Sequence, residues 1–254
     1  MNRTALRIVL AIAVMVGVIF AIRANFDIDI TALFFNPNGR NFPIGGRLWE
    51  QHARDAARGL ITLIAALPVV AVVGKLMLPH RRMFIGGRTA LFLLLTVAIG
   101  PGLVANTLLK DHWGRARPID ILTFGGSDRF TPWWDPRGPC PNNCSFIAGE
   151  PSGAFWTLAP AAMTPPQWRL LAYGGAVVFG SALGVLRIAA GGHFFTDVVF
   201  AGVIMYLVAW SLYGFIFRWR PPRPSEDEDS VERAVGRAGE AIRRALTAIT
   251  RRPG

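Results

Sequence analysis

Leu186-Arg187-Ile-Ala-Ala-Gly-Gly-His193-Phe-Phe-Thr-Asp197, running straight into the apolar stretch that ends at Phe217, decides what kind of chain this is. From Phe194 to Phe217 the segment has the length and greasiness of a membrane-crossing helix, which needs roughly 20 apolar residues. Ionisable groups are expensive at such a place and mark a functional site by default. Working outward, comparable stretches recur at Ala5 to Ile22, Leu60 to Leu78, Met83 to Leu109 and Leu170 to Leu186. A weaker one, Pro151 to Met163, is interrupted by Pro160 and followed by Pro165 and Pro166. In 254 residues, 52% are hydrophobic and 17% charged, a balance that belongs to membrane proteins. The expected fold is all-α: a polytopic helical bundle of about six transmembrane helices, the fourth the least regular. It divides into a first span with an outward loop (1–58), a core with an outward loop at 110–150 (59–218), and a tail (219–254).

Arg3 and Arg7 precede the first apolar stretch as they would in a signal peptide, but Arg23 stands where a cleavage site needs a small residue, so an uncleaved first span is expected. With six alternating spans, Arg3, Arg7, Lys75, Arg81, Arg82, Arg169, Arg218, Arg220 and Arg223 fall on one side, which the positive-inside rule makes the cytoplasm. The segments Lys110 to Glu150 and Arg187 to His193 then face outward together, toward a periplasm if the membrane is a bacterial inner one. Cys140-Pro-Asn-Asn-Cys144 lies in that outward segment; a disulfide is expected there, with free thiols the alternative, while two cysteines without a flanking His make a poor zinc site. Trp133 and Trp134 are expected at the headgroup belt. The net charge of +11 is spread over loop ends and tail rather than gathered on one face, so anionic lipid is the expected partner and nucleic acid is not. After Pro221-Pro222-Arg223-Pro224, Ser225 and Glu226 to Asp229 read as a helix start. Val231, Val235, Ala238, Ile242, Ala245 and Ile249 give the tail an apolar stripe among arginines, suited either to the leaflet surface or to a solvated tail.

The chemistry lies in two outward clusters. In the second, His193 and Asp197 are four residues apart and share a helix face, so the carboxylate can hold one ring nitrogen while the other points away. Such a pair makes a nucleophilic or basic imidazole, and the glycines before it let a phosphate approach the backbone. In the first, Lys110-Asp-His-Trp-Gly-Arg115-Ala-Arg117-Pro118 supplies cations that, with Arg187, suit a tetrahedral dianion.

Lys110, six residues, Arg117-Pro118, and later Arg187, five residues, His193, three residues, Asp197 resemble the first and third signature motifs of the type 2 phosphatidic acid phosphatase family, relatives of the vanadium haloperoxidases. The resemblance covers roughly Leu60 to Phe217. It implies a metal-independent, cofactor-free phosphatase in which His193 attacks phosphorus, Asp197 orients His193, and Lys110, Arg117 and Arg187, with Gly149 and Ser152, hold phosphate oxygens. The middle motif departs from the family's Pro-Ser-Gly-His, whose histidine protonates the leaving group. Aligning on Ser145-Phe146 puts Glu150 at the acid position, the preferred register; aligning on Pro151-Ser152-Gly153 puts Ala154 there and leaves no acid, and His112 is a more remote substitute. Leu186 stands where the third motif commonly has Ser. The expected function is a membrane lipid phosphatase acting on a lipid A, isoprenoid diphosphate or phospholipid type of substrate. The alternative is a catalytically silent protein that binds lipid phosphate.

Overall fold

The computed structural model describes residues 1–219 and 230–250. It is all-helical, with two isolated bridges and no strand among the described residues. Five helical segments are long and apolar enough to cross a membrane: Arg3–Ile22, Leu48–Met77, Gly87–His112, Pro166–Ala189 and Phe195–Arg218. They expose apolar side chains such as Val14, Leu63, Leu67, Leu170 and Val178, the pattern of helices solvated by lipid rather than by water.

Two compact units divide the chain. The first, Met1–Ile61 with Thr96–Ser211, carries both polar clusters. It begins with α1 (Arg3–Ile22), capped by the Asn2 side chain, which accepts from the Ala5 amide at 2.8 Å. A short α2 (Phe26–Ala32) and a turn closed by Asn36 and Asn41 lead into α3 (Leu48–Met77). After α4 (Gly87–Val97) the same rod continues as π-helical turns over Ala98–Leu109, where Pro101 removes a backbone donor, and ends in the single turn α5 (Lys110–His112).

The weak fourth stretch of the sequence forms two short helices, α6 (Gly149–Trp156) and α7 (Leu158–Met163), broken at Thr157, whose hydroxyl and amide both donate to the Ala154 carbonyl. Almost every side chain from Pro151 to Ala162 is buried, so this pair is interior packing, and the Trp156 indole donates to Thr96. Long helices α8 (Pro166–Ala189) and α9 (Phe195–Tyr213) follow, α8 starting on a proline at its first turn.

Between α8 and α9 the chain reverses within five residues. Gly191 has φ +71°, and a Cβ there would overlap the Phe42 ring; a Cβ on Gly192 would overlap the Arg187 guanidinium. Phe35, Phe42 and Phe124 pack at 5.0–5.3 Å, Phe42 edge to face with the other two, and with Ile121 and Phe194 pin the loops that carry them against this reversal. Trp133 stacks on Phe200 at 4.4 Å, and its carbonyl accepts from the Trp113 indole. Trp134 is 47% exposed. Cys140 and Cys144 are disulfide-bonded, with Cα atoms 5.7 Å apart.

The second unit is Thr62–Leu95 with Leu212–Gly254. Its α10 (Ser230–Thr250) is docked rather than free at its start: Glu232 accepts from Lys75 at 3.1 Å and from the Met83 amide at 2.8 Å. The proposed helix start at Ser225 to Asp229, the proline run before it, and Arg251 and Arg252 lie outside the described residues.

Candidate active site

His193 is 3% exposed, in the reversal just before α9. Its Nδ1 stands 2.8 Å from the Ser145 carbonyl oxygen, which can only accept, so Nδ1 carries the proton and Nε2 keeps its lone pair. The sequence suggested that Asp197 would hold this ring directly. Its nearer oxygen is 3.8 Å from Nδ1, beyond hydrogen-bond range, so it acts on the imidazole as a charge. Asp197 instead accepts from the Ser145 hydroxyl and, at 2.8 Å, from the Phe194 amide. Ser145 therefore bridges the pair, with its hydroxyl on the carboxylate and its carbonyl on the histidine. Burial pushes the His193 pKa below its ordinary value; Asp197 opposes that, and Arg187 and Arg117 add to it. The ring is thus held neutral, the state a nucleophile needs.

Behind Asp197 lies a buried ionic chain that the motif spacing did not suggest. Arg115, expected to hold substrate, is fully buried and donates to Asp197, to Thr196 at 2.8 Å, to Asp27 at 2.7 Å and to the Thr131 carbonyl at 2.9 Å. Its guanidinium also lies over the Phe194 ring at 4.4 Å. Asp27, from α2, accepts from the Thr196 amide and hydroxyl as well. Four of its five N–H donors are committed in this way and the group is sealed from solvent, so it is not placed to hold a phosphate. The signal for Asp27 was weak: one acidic residue in a turn-rich loop, far in sequence from its partners.

The remaining cations stand differently. Lys110, at the head of α5, has no hydrogen-bond or ion-pair partner among the described residues, and it lies within electrostatic reach of Arg117, Glu150 and Arg187. Gly149 lies against it, since a Cβ there would sit 3.2 Å from the Lys110 Nζ. Arg117 is half-buried and anchored by the Asn143 carbonyl at 2.8 Å and its side-chain oxygen at 2.9 Å. The strands of loop are stitched together by backbone bonds, Cys144 to the Lys110 carbonyl and Ser145 to the Arg115 carbonyl, so the first and middle motifs meet at His193.

Arg187, near the end of α8, belongs to a second ionic cluster. Its Nη1 is 3.2 Å from Glu50 and its Nε 3.5 Å from Glu150, while Arg54 donates to Glu150 from Nε at 2.9 Å and Nη2 at 2.7 Å and to Glu50 at 3.3 Å. Glu50 and Arg54 were missed by motif reasoning, although charges four apart at the head of an apolar helix were a usable signal. Glu150 is thus beside the cations, but as an acceptor of guanidinium hydrogen bonds. Ser152, expected to hold phosphate, is fully buried, and its hydroxyl donates to the Ala148 carbonyl at 2.8 Å, which commits its proton inside the helix. Ala154 packs in an apolar cluster with Ala57 and Leu183, and the exposed His112 faces carbonyls of its own helix.

A neutral, oriented imidazole beside Lys110, Arg117 and Arg187 can attack a phosphoryl group whose oxygens the cations neutralise. Comparison with known proteins bears on this arrangement. The PAP2 superfamily matches residues 89–221, a span that contains every motif residue named above. A lipid A 4'-phosphatase of Francisella tularensis subsp. novicida (strain U112) is 35% identical over 204 residues, covering 79% of this chain and 90% of that protein. A lipid A 4'-phosphatase of Rhizobium leguminosarum is 36% identical over 104 residues, 41% of this chain and 45% of that protein. No solved structure gives a significant match. With its helical spans, its paired motifs and these relatives, the chain belongs to the PAP2 superfamily, the type 2 phosphatidic acid phosphatases.

Proposed function

We propose that this phosphatase removes a phosphate from a lipid A type of substrate at the periplasmic face of the inner membrane, through a phosphohistidine on His193. The observation that carries the proposal is the hydrogen bond from His193 Nδ1 to the Ser145 carbonyl, which leaves Nε2 as the free nucleophile. The lipid A relatives support the substrate class, and the Lys and Arg of the loops support the orientation when the buried α6–α7 pair is counted as the sixth crossing beside the five long helices.

In the first step Nε2 bonds to phosphorus as the bond to the lipid oxygen breaks, with Lys110, Arg117 and Arg187 facing the three non-bridging oxygens and Gly149 leaving room beside Lys110. The departing oxygen takes its proton from solvent. Water then attacks phosphorus, the P–N bond breaks, and inorganic phosphate leaves with neutral His193 restored. Asp197, itself fixed by Arg115 and Ser145, stabilises the charge that His193 develops.

Glu150 takes a different part from the acid that its register implied. A carboxylate receiving guanidinium hydrogen bonds is favoured in its ionised form and has no proton to give. In the proposed mechanism it aligns Arg54 and Arg187. The same replacement favours the competing reading, a silent binder of lipid phosphate. Turnover separates the two: purified protein in detergent releases phosphate from lipid A, His193→Ala does not, and rapid acid-free quenching of wild type with radiolabelled substrate traps a base-stable phosphoryl adduct. Absence of turnover in wild type across lipid phosphates, with vanadate still bound, would leave the binder standing.

A further inference from the structure

Beside the ionic cluster opens a cavity of about 450 Å³, lined by Glu50, Gln51 and Arg54 of α3, by Arg187, and by Arg40 and Asn41 of the turn before α3. It has room for roughly fifteen waters at ~30 Å³ each, well beyond a single phosphate and within the ~300–1,000 Å³ of small-molecule sites. Its lining holds one buried oxygen with unmet hydrogen-bonding capacity and one exposed cation. One oxygen of Glu50, a carboxylate 1% exposed, has no hydrogen-bond partner while the other serves Arg54 and Arg187. Arg40, exposed in the same lining and held at φ +46° in the turn that Asn36 and Asn41 close, lies near Gly125 and has no hydrogen-bond or ion-pair partner among the described residues. Left-handed backbone at a residue with a side chain is a strained conformation that clusters at ligand clamps.

These groups discriminate between ligand chemistries. A purely anionic occupant would face the Glu50 carboxylate, and an apolar one would strip water from Arg40 and Asn41 and from Gln51, whose amide nitrogen already donates to the Gly46 carbonyl at 3.3 Å. A hydroxyl both donates and accepts, so a polyhydroxylated ring can give a proton to Glu50 and receive from Arg40 and Gln51. Phe42 and Phe124, also in the lining, offer apolar faces to its C–H edges. We infer that this cavity is a headgroup subsite for a saccharide, adjoining the phosphate site through Arg187, and that Arg40 and Gln51 set headgroup preference. The inference rests on the phosphatase reading for its purpose, and its test does not depend on turnover.

The test compares binding of a hexose phosphonate, whose methylene bridge resists hydrolysis, with methylphosphonate, by calorimetry on the full-length protein in detergent. The hexose compound binds more tightly to wild type. Arg40→Ala weakens it by roughly tenfold, the loss of one charge-assisted hydrogen bond, and Gln51→Ala by about threefold, while both leave methylphosphonate unchanged. Equal affinity of the two phosphonates for wild type overturns the subsite, as does a parallel loss of both in the variants. Failure of the phosphatase reading shows separately, as no phosphate release from any ester by a protein that still distinguishes the two phosphonates.

Discussion

Replacing Glu150 by Gln keeps the shape of the side chain and removes its charge, which separates an orienting carboxylate from a proton donor. In the native cluster Glu150 takes two short guanidinium bonds from Arg54, at 2.9 and 2.7 Å, and stands 3.5 Å from Arg187. An amide can accept only on one side, and its NH2 meets the Arg54 donors head on. A hydrogen bond to a charged group contributes ~1.5–3 kcal/mol, and tenfold corresponds to ~1.4 kcal/mol, so poorer placement of Arg187 lowers kcat/KM by roughly 10- to 100-fold. The fall should be the same for a nitrophenyl phosphate, whose leaving group needs no proton, and for an alkyl or lipid phosphate, whose leaving group does. It should appear largely in KM, with the alkaline side of the pH profile unmoved. General acid catalysis predicts another pattern, a loss of ~10²–10⁴-fold confined to the alkyl ester. Steady-state phosphate release from both substrates across pH 5 to pH 9 decides between them. Selective loss on the alkyl ester, with disappearance of the alkaline limb, would refute the orienting role and restore Glu150 as the acid.

Further outcomes follow from the two ionic chains and the loop. In the proposed mechanism neutral His193 is the reactive form, and burial holds its pKa below that of an ordinary histidine, so kcat/KM should hold as pH falls through the ordinary histidine range and decline only below it. Asp197→Asn removes a charge that raises that pKa, so the acid limb should move to still lower pH while the rate drops ~10²–10⁴-fold; a move to higher pH would contradict the assignment. Asp27→Ala leaves Arg115 with one of its two carboxylates and should destabilise by ~3–5 kcal/mol, read as a lower thermal midpoint in detergent; an unchanged midpoint would mean that Arg115 does not need Asp27. Cys140→Ser with Cys144→Ser opens a five-residue loop, for which chain entropy gives about 2 kcal/mol, so the doubly substituted protein should fold and turn over with a modest loss of stability.

Particular residues show why some of this was legible in the sequence and some was not. Apolar run length identified the membrane helices because a bilayer demands about twenty apolar residues whatever their neighbours. His193, Asp197 and Arg187 were legible because their spacing of four and six places them at one end of a helix pair. The fourth stretch was the least certain from its prolines, and it became two short buried helices for that reason, since Thr157 and Pro160 cannot sustain a continuous rod.

Roles were harder to read than positions. Arg115 and Arg117 are two residues apart in one motif, yet one is sealed between Asp27 and Asp197 while the other stands half-buried beside Lys110. Glu150 and Ser152 were placed near the site by register, and the structure shows their hydrogen bonds, Glu150 accepting from Arg54 and Ser152 donating to the Ala148 carbonyl. The sequence by itself determined the helical membrane class, the family and the positions of the proposed nucleophile and its cations, because those depend on segment length and local spacing. Only the tertiary structure decided which charges are available to a substrate. A charge is freed or consumed by the partner opposite it, and Asp27, Glu50 and Arg54 reach distant partners across 88 to 169 residues of chain that no local pattern spans.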